Sequence, residues 1–137
     1  MGFYNKIKIT ATLRKSNNIC FKGEIEMKKL IIEKDKLCQN INTIKDMSST
    51  KIIAVLKGNG YGLGMLEFAH FLLENGIDMF AVSEIEDAIR LSEQGFLGKV
   101  LLLAPTSLDH EAGLIVKNKI IPCVGSIASA LILNDAA

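Results

Sequence analysis

The chain has 137 residues, 49% of them hydrophobic and 23% charged, enough for one modest core. A formal net charge of +1 speaks against electrostatic capture of nucleic acid, and no apolar run is long enough to span a bilayer or to serve as a signal peptide. Three widely spaced cysteines, Cys20, Cys38 and Cys123, form no CxxC pair, which argues against a metal site or a disulfide framework and for a reducing cytoplasm.

Residues 1–26 hold five basic and two acidic side chains and show no sustained helical period. The alternation Ile7-Lys8-Ile9-Thr10 predicts a weak strand with no obvious partner. Met27 opens a better-organised sequence, MKKLIIEKD. Just upstream, Lys22-Gly23-Glu24 can be encoded by AAA-GGA-GAG, which resembles a bacterial ribosome-binding site. The expectation is that Met27 is the true start, with 1–26 a disordered leader or extension and 27–137 the domain.

Leu30-Ile31-Ile32 reads as a short strand. Asp35 is then the expected N-cap of a helix whose apolar stripe is Leu37, Ile41 and Ile44, with Ser48-Ser49-Thr50 the loop out. Ile52 to Leu56 is apolar and rich in β-branched residues, as expected of a strand buried on both faces. A helix from about Gly64 to Asn75 follows the glycine loop, and Gly76 suits its C′ position. Met79 to Val82 is the next strand. Ser83 and Glu86 form an expected capping box for a helix that Gly95 closes. Val100 to Leu103, a helix over Leu108 to Asn118, a strand over Ile120 to Val124 interrupted by Pro122, and a helix from Ile127 complete the pattern.

Strand ends at Lys57, Ser83, Ala104 and Val124 alternate with helices, which predicts right-handed crossovers and a parallel sheet. An open doubly wound sheet and half of a (β/α)8 barrel both fit. A whole barrel takes about 250 residues, so on the second reading the chain is a partial barrel.

The segment Lys51 to Gly64, KIIAVLKGNGYGLG, carries the chemistry. Gly58, Gly60, Gly62 and Gly64 cannot continue the strand, so the chain must turn sharply. The Rossmann pattern G-x-G-x-x-G fails in both registers, at Leu63 and at Met65, and no Gly-Lys-Ser/Thr follows to make a P-loop. A flexible turn with a surface lysine is the plain alternative. Against it, Lys57 follows five apolar residues, and partial desolvation would make its amine a better nucleophile. Tyr61 sets a hydroxyl four residues on. Elsewhere the bland readings prevail: His70 faces solvent on a helix, Glu84, Glu86 and Asp87 serve a helix N-terminus, and Cys123 fills a buried strand. His110 stands far from His70, and Tyr4 has no visible role.

AVLKGNGYGLG resembles the alanine racemase signature, usually written AVVKANAYGHG, and keeps its order K-x-N-x-Y-G-x-G. LIIEKDKLCQNINTIK resembles the family's opening strand and helix, FAVSEIEDAIRLSEQGF its second barrel strand and helix, and KVLLLAPT its third. The resemblance runs from about Leu30 to the C-terminus. It implies the N-terminal half of a fold-type III, pyridoxal 5′-phosphate-binding (β/α)8 barrel. Lys57 would be the catalytic lysine bonded to the cofactor, and Tyr61 would hydrogen-bond its phosphate. The implied reaction interconverts L- and D-alanine for cell-wall synthesis, by an enzyme that is a homodimer at full length, and a fragment of this size is expected to be inactive alone. A non-catalytic carrier of the same cofactor and a ligand-free truncated product are the alternatives. Gly58 and Gly60 stand where alanine is usual and are expected to loosen the loop; Leu63 stands where histidine is usual.

Overall fold

The computed structural model describes residues 6–9, 30–95 and 99–137. Two units make up the chain, Met1–Ile44 and Lys45–Ala137. In the first, β1 (Lys6–Ile9) pairs antiparallel with β2 (Leu30–Glu33), Lys6 opposite Glu33 and Ile9 opposite Leu30. The weak strand near Ile7 thus has a partner, one too far along the chain for a local pattern to reveal. The rest of the expected leader, with Tyr4 and Cys20, lies outside the described residues. α1 (Lys34–Met47) follows β2 directly. Asp35 is not its N-cap but lies inside its first turn, where a carboxylate still favours the positive end of the helix dipole. Of the expected stripe, Ile41 is buried and Leu37 half-buried, but Ile44 is mostly exposed.

The second unit is a parallel sheet with its helices. β3 (Ala54–Val55), β4 (Met79–Val82), β5 (Lys99–Leu102) and β6 (Ile121–Pro122) pair in the order β3-β4-β5-β6. Each crossover therefore advances to the adjacent position and never reverses. A doubly wound sheet requires a reversal of strand order, whereas a barrel adds each strand beside the last. The order is that of a barrel arc.

Register assigns the two faces. Ala54, Phe80 and Val100 are aligned, as are Val55, Ala81, Leu101 and Ile121. Strand residues alternate between faces, so Leu56, Phe80, Val82, Val100 and Leu102 share one face, and all are buried. Helix α4 (Ile85–Glu93) packs on β4 and β5, with Ala88 and Leu91 inaccessible. The opposite face is open along β3 and at Leu103, with Ile53, Val55 and Leu103 43%, 39% and 40% exposed, while Ala81 in its middle is buried. The expectation that β3 is buried on both sides is therefore corrected. β3 is a two-residue edge strand with one covered face. Cys123 is likewise exposed rather than buried, because it follows the other edge strand, where Pro122 costs no ladder bond on the outer side.

Helix ends follow local chemistry unevenly. α3 (Met65–Glu74) ends as expected at Gly76, φ 76°, with Gly76 N donating to Leu73 O at 2.9 Å and Ile77 N to Leu72 O at 3.0 Å. That is a Schellman motif. The capping box expected at Ser83 does not form; the N-cap is Glu84 in extended conformation, without a side-chain cap. A capping box does form at α6 (Ile127–Ala136), where Ser126 Oγ accepts from Ser129 N at 3.1 Å and Ser129 Oγ accepts from Ser126 N at 3.0 Å.

α5 (Asp109–Lys117) ends in a second Schellman motif, Lys119 N to Val116 O at 3.1 Å and Ile120 N to Ile115 O at 3.0 Å. Here Lys119 occupies the left-handed position at φ 54°. A side chain costs about 1 kcal/mol there relative to glycine. Lys119→Gly is therefore expected to raise stability by about 0.5–1 kcal/mol in chemical denaturation, and a loss of stability would show that the strain is absent.

Candidate active site

The ladder holds the chain up to the residue before the lysine. Leu56 N donates to Ala81 O at 2.8 Å, and the Leu56 side chain is wholly buried. Lys57 then opens a one-turn element, α2 (Lys57–Tyr61), whose interior is left-handed: Gly58, Asn59 and Gly60 have φ of 61°, 54° and 64°. Tyr61 continues it at φ 54°. Bonds from Gly60 N to Leu56 O (2.9 Å) and from Gly62 N to Gly58 O (3.1 Å) give it the spacing of a helical turn in mirror image. L-residues resist this conformation by about 1–2 kcal/mol each, while glycine does not. Gly58 and Gly60 therefore do more than loosen a loop; they relieve strain in a defined one. At Gly60 a Cβ would also stand 3.2 Å from Met65 Cα, so the turn lies close against the start of α3.

Lys57 is exposed, which corrects the expected desolvation of its amine. The apolar residues before it alternate between a covered and an open face and do not enclose its end. Tyr61 is 61% exposed. Lys57 and Tyr61 thus begin and end one turn at the C-terminal end of β3. The other candidates stand on other elements: His70 is exposed on α3, His110 is exposed on α5, and Glu86 and Asp87 occupy the first turn of α4, where Arg90 Nη1 lies 3.5 Å from Asp87 Oδ1. Leu63 is half-buried.

Asn59 is the residue that sequence reasoning passed over. Its Oδ1 accepts from Met65 N at 3.0 Å, and its carbonyl accepts from Gly64 N at 3.1 Å. The N-cap position of α3 is Gly64, which has no side chain to cap with. The available signal was the placement of an asparagine among glycines, since asparagine tolerates the left-handed region and bonds locally.

The family model described as alanine racemase, N-terminal domain, matches residues 32–137. The chain belongs to that family. Alanine racemase of Fusobacterium nucleatum is 38% identical over 80 residues, 58% of this chain and 23% of that protein. The solved alanine racemase of Clostridium difficile 630 superposes with a TM-score of 0.70 at 33% identity, over 75% of this chain and 28% of that one. A histidine racemase from Leuconostoc mesenteroides shares the fold, with a TM-score of 0.68 at 23% identity, over 75% of this chain and 28% of that one. The chain thus spans about a quarter of the length of the alanine racemases it matches. No helix among the described residues is long and apolar enough to cross a membrane.

Proposed function

We propose that this chain forms the lysine-bearing part of a pyridoxal 5′-phosphate-dependent alanine racemase, which acts in the cytoplasm as a homodimer and supplies D-alanine to cell-wall synthesis. The observation that carries the reading is the turn at the end of β3. It presents an exposed lysine and an exposed tyrosine at the C-terminal end of a parallel barrel strand, the side on which barrels of this kind carry their active sites. The donor set suits the cofactor. Lys57 brings a nucleophilic amine for its aldehyde, and Tyr61 brings a hydroxyl donor for its phosphate. When bound, the cofactor supplies an electron sink for the charge left when the substrate α-proton departs. Lys57 Nζ is the group of this chain that would take or deliver a proton on one face of the substrate, and inversion requires a second acid–base group on the opposite face, which would come from outside the described residues.

Adding pyridoxal phosphate to the chain, reducing with borohydride and mapping the peptides tests the assignment. The adduct is expected on Lys57, and equal labelling across the surface lysines would overturn it.

Tyr61 supports the reading by its strain, because a bulky residue held in the left-handed region points to a retained role. Tyr61→Phe is expected to weaken cofactor binding by roughly ten- to hundredfold, the loss of one hydrogen bond to a charged group. Tyr61→Gly should weaken binding as much, yet raise stability by about 0.5–1 kcal/mol through relief of strain. Isothermal titration and denaturation together check both signs. Unchanged affinity in either variant would make Tyr61 a mere loop residue.

A further inference from the structure

We infer that Asn59 is the positioning residue that sets where Lys57 and Tyr61 stand, by tying the left-handed turn to the first residue of α3; the inference rests on the cofactor reading above. Two bonds from this one residue bridge the loop. Its carbonyl holds Gly64 and its side chain holds Met65, so the turn is fastened to α3 through both backbone and side chain. The anchor itself is rigid: Met65, Ala69, Phe71 and Leu72 of α3 are buried. On the other side the turn is fixed by Leu56, which is buried and bonded to Ala81. Lys57 and Tyr61 are exposed and lie two residues to either side of Asn59. Asn59 touches neither reacting group in this role. It acts through the backbone that carries them, and a 3.0 Å bond to an amide allows little freedom in that backbone.

Asparagine suits the position on two counts. It populates the left-handed region, here φ 54° and ψ 46°, at low cost among L-residues, and its Oδ1 accepts from the Met65 amide, one of the first-turn N–H groups of α3 that have no intrahelical partner. Asn59→Gly separates the two, because it keeps the conformation and loses the acceptor. Asn59→Asp keeps both.

The test has two readouts on the full chain. In the first, hydrogen exchange at the Met65 amide should accelerate about fivefold in Asn59→Gly and return toward the parent rate in Asn59→Asp, as for loss and rescue of a capping bond. No acceleration would overturn the clamp. The second is pyridoxal phosphate affinity in a double-mutant cycle with Tyr61→Phe. Asn59→Gly should lower affinity about fivefold when Tyr61 is present, and clearly less in the Tyr61→Phe background, where the bond it positions is already gone. Equal losses in both backgrounds, or none in either, would reduce Asn59 to a helix cap. A parent chain that gives no Lys57 adduct would overturn the cofactor reading and the positioning role with it, while exchange at Met65 still reports whether the clamp exists.

Discussion

Lys57→Ala is expected to leave no borohydride-trapped pyridoxal phosphate above the background of the remaining lysines, and Lys57→Arg is expected to do the same. The reasons differ. Alanine removes the amine outright. Arginine keeps the positive charge but stays protonated at any usable pH, so it cannot attack the aldehyde. The pair therefore separates an electrostatic attraction for the phosphate from a covalent role. If the Lys57→Arg variant retained affinity close to the parent, charge alone would account for binding. Lys36, Lys99, Lys117 and Lys119 are exposed as well, and exposed amines add reversibly to aldehydes. Peptide mapping at low cofactor excess is thus the measurement that decides, since Tyr61, the proposed phosphate partner, stands on the same turn as Lys57. Labelling of Lys57→Ala equal to the parent would remove the assignment.

Phe80→Ala is expected to cost about 3–5 kcal/mol, the range for emptying a buried aromatic site in a core. Phe80 lies mid-sheet on β4, with no accessible surface, flanked in register by Ala54 and Val100. Domain stability is of order 5–15 kcal/mol, so this one change removes much of it. Val55→Ala, on the open face and 39% exposed, should cost under about 1 kcal/mol, because much of the methyl surface removed still meets water. Denaturant midpoints of the two variants test the assignment of faces directly. Equal losses at both positions would mean that the open face is covered in solution.

The sequence by itself determined elements whose signals are short-range. Gly76 ends α3 and Gly95 follows α4 because each holds a positive φ that side chains resist, and that preference acts within one turn. The alternation of apolar runs and helices revealed the parallel βα repeat, and the K-x-N-x-Y-G-x-G order revealed the family. The sequence also singled out Lys57 and Tyr61 as the residues to follow. Tertiary structure decided the rest. Ser83 has the residues of a capping box and does not make one, whereas Ser126 and Ser129 do, since the path of the chain into each helix selects the cap. Val55 and Cys123 read as core residues and are exposed, because burial depends on which strands become edges and which sheet face the helices cover. The succession β3-β4-β5-β6 separated a barrel arc from a doubly wound sheet, and pairing between strands is not written in either strand alone. The left-handed turn was visible only as excess glycine. Its hand and the bond from Asn59 that fastens it to α3 were not legible, because they depend on where the start of α3 lies against Gly60 and Asn59.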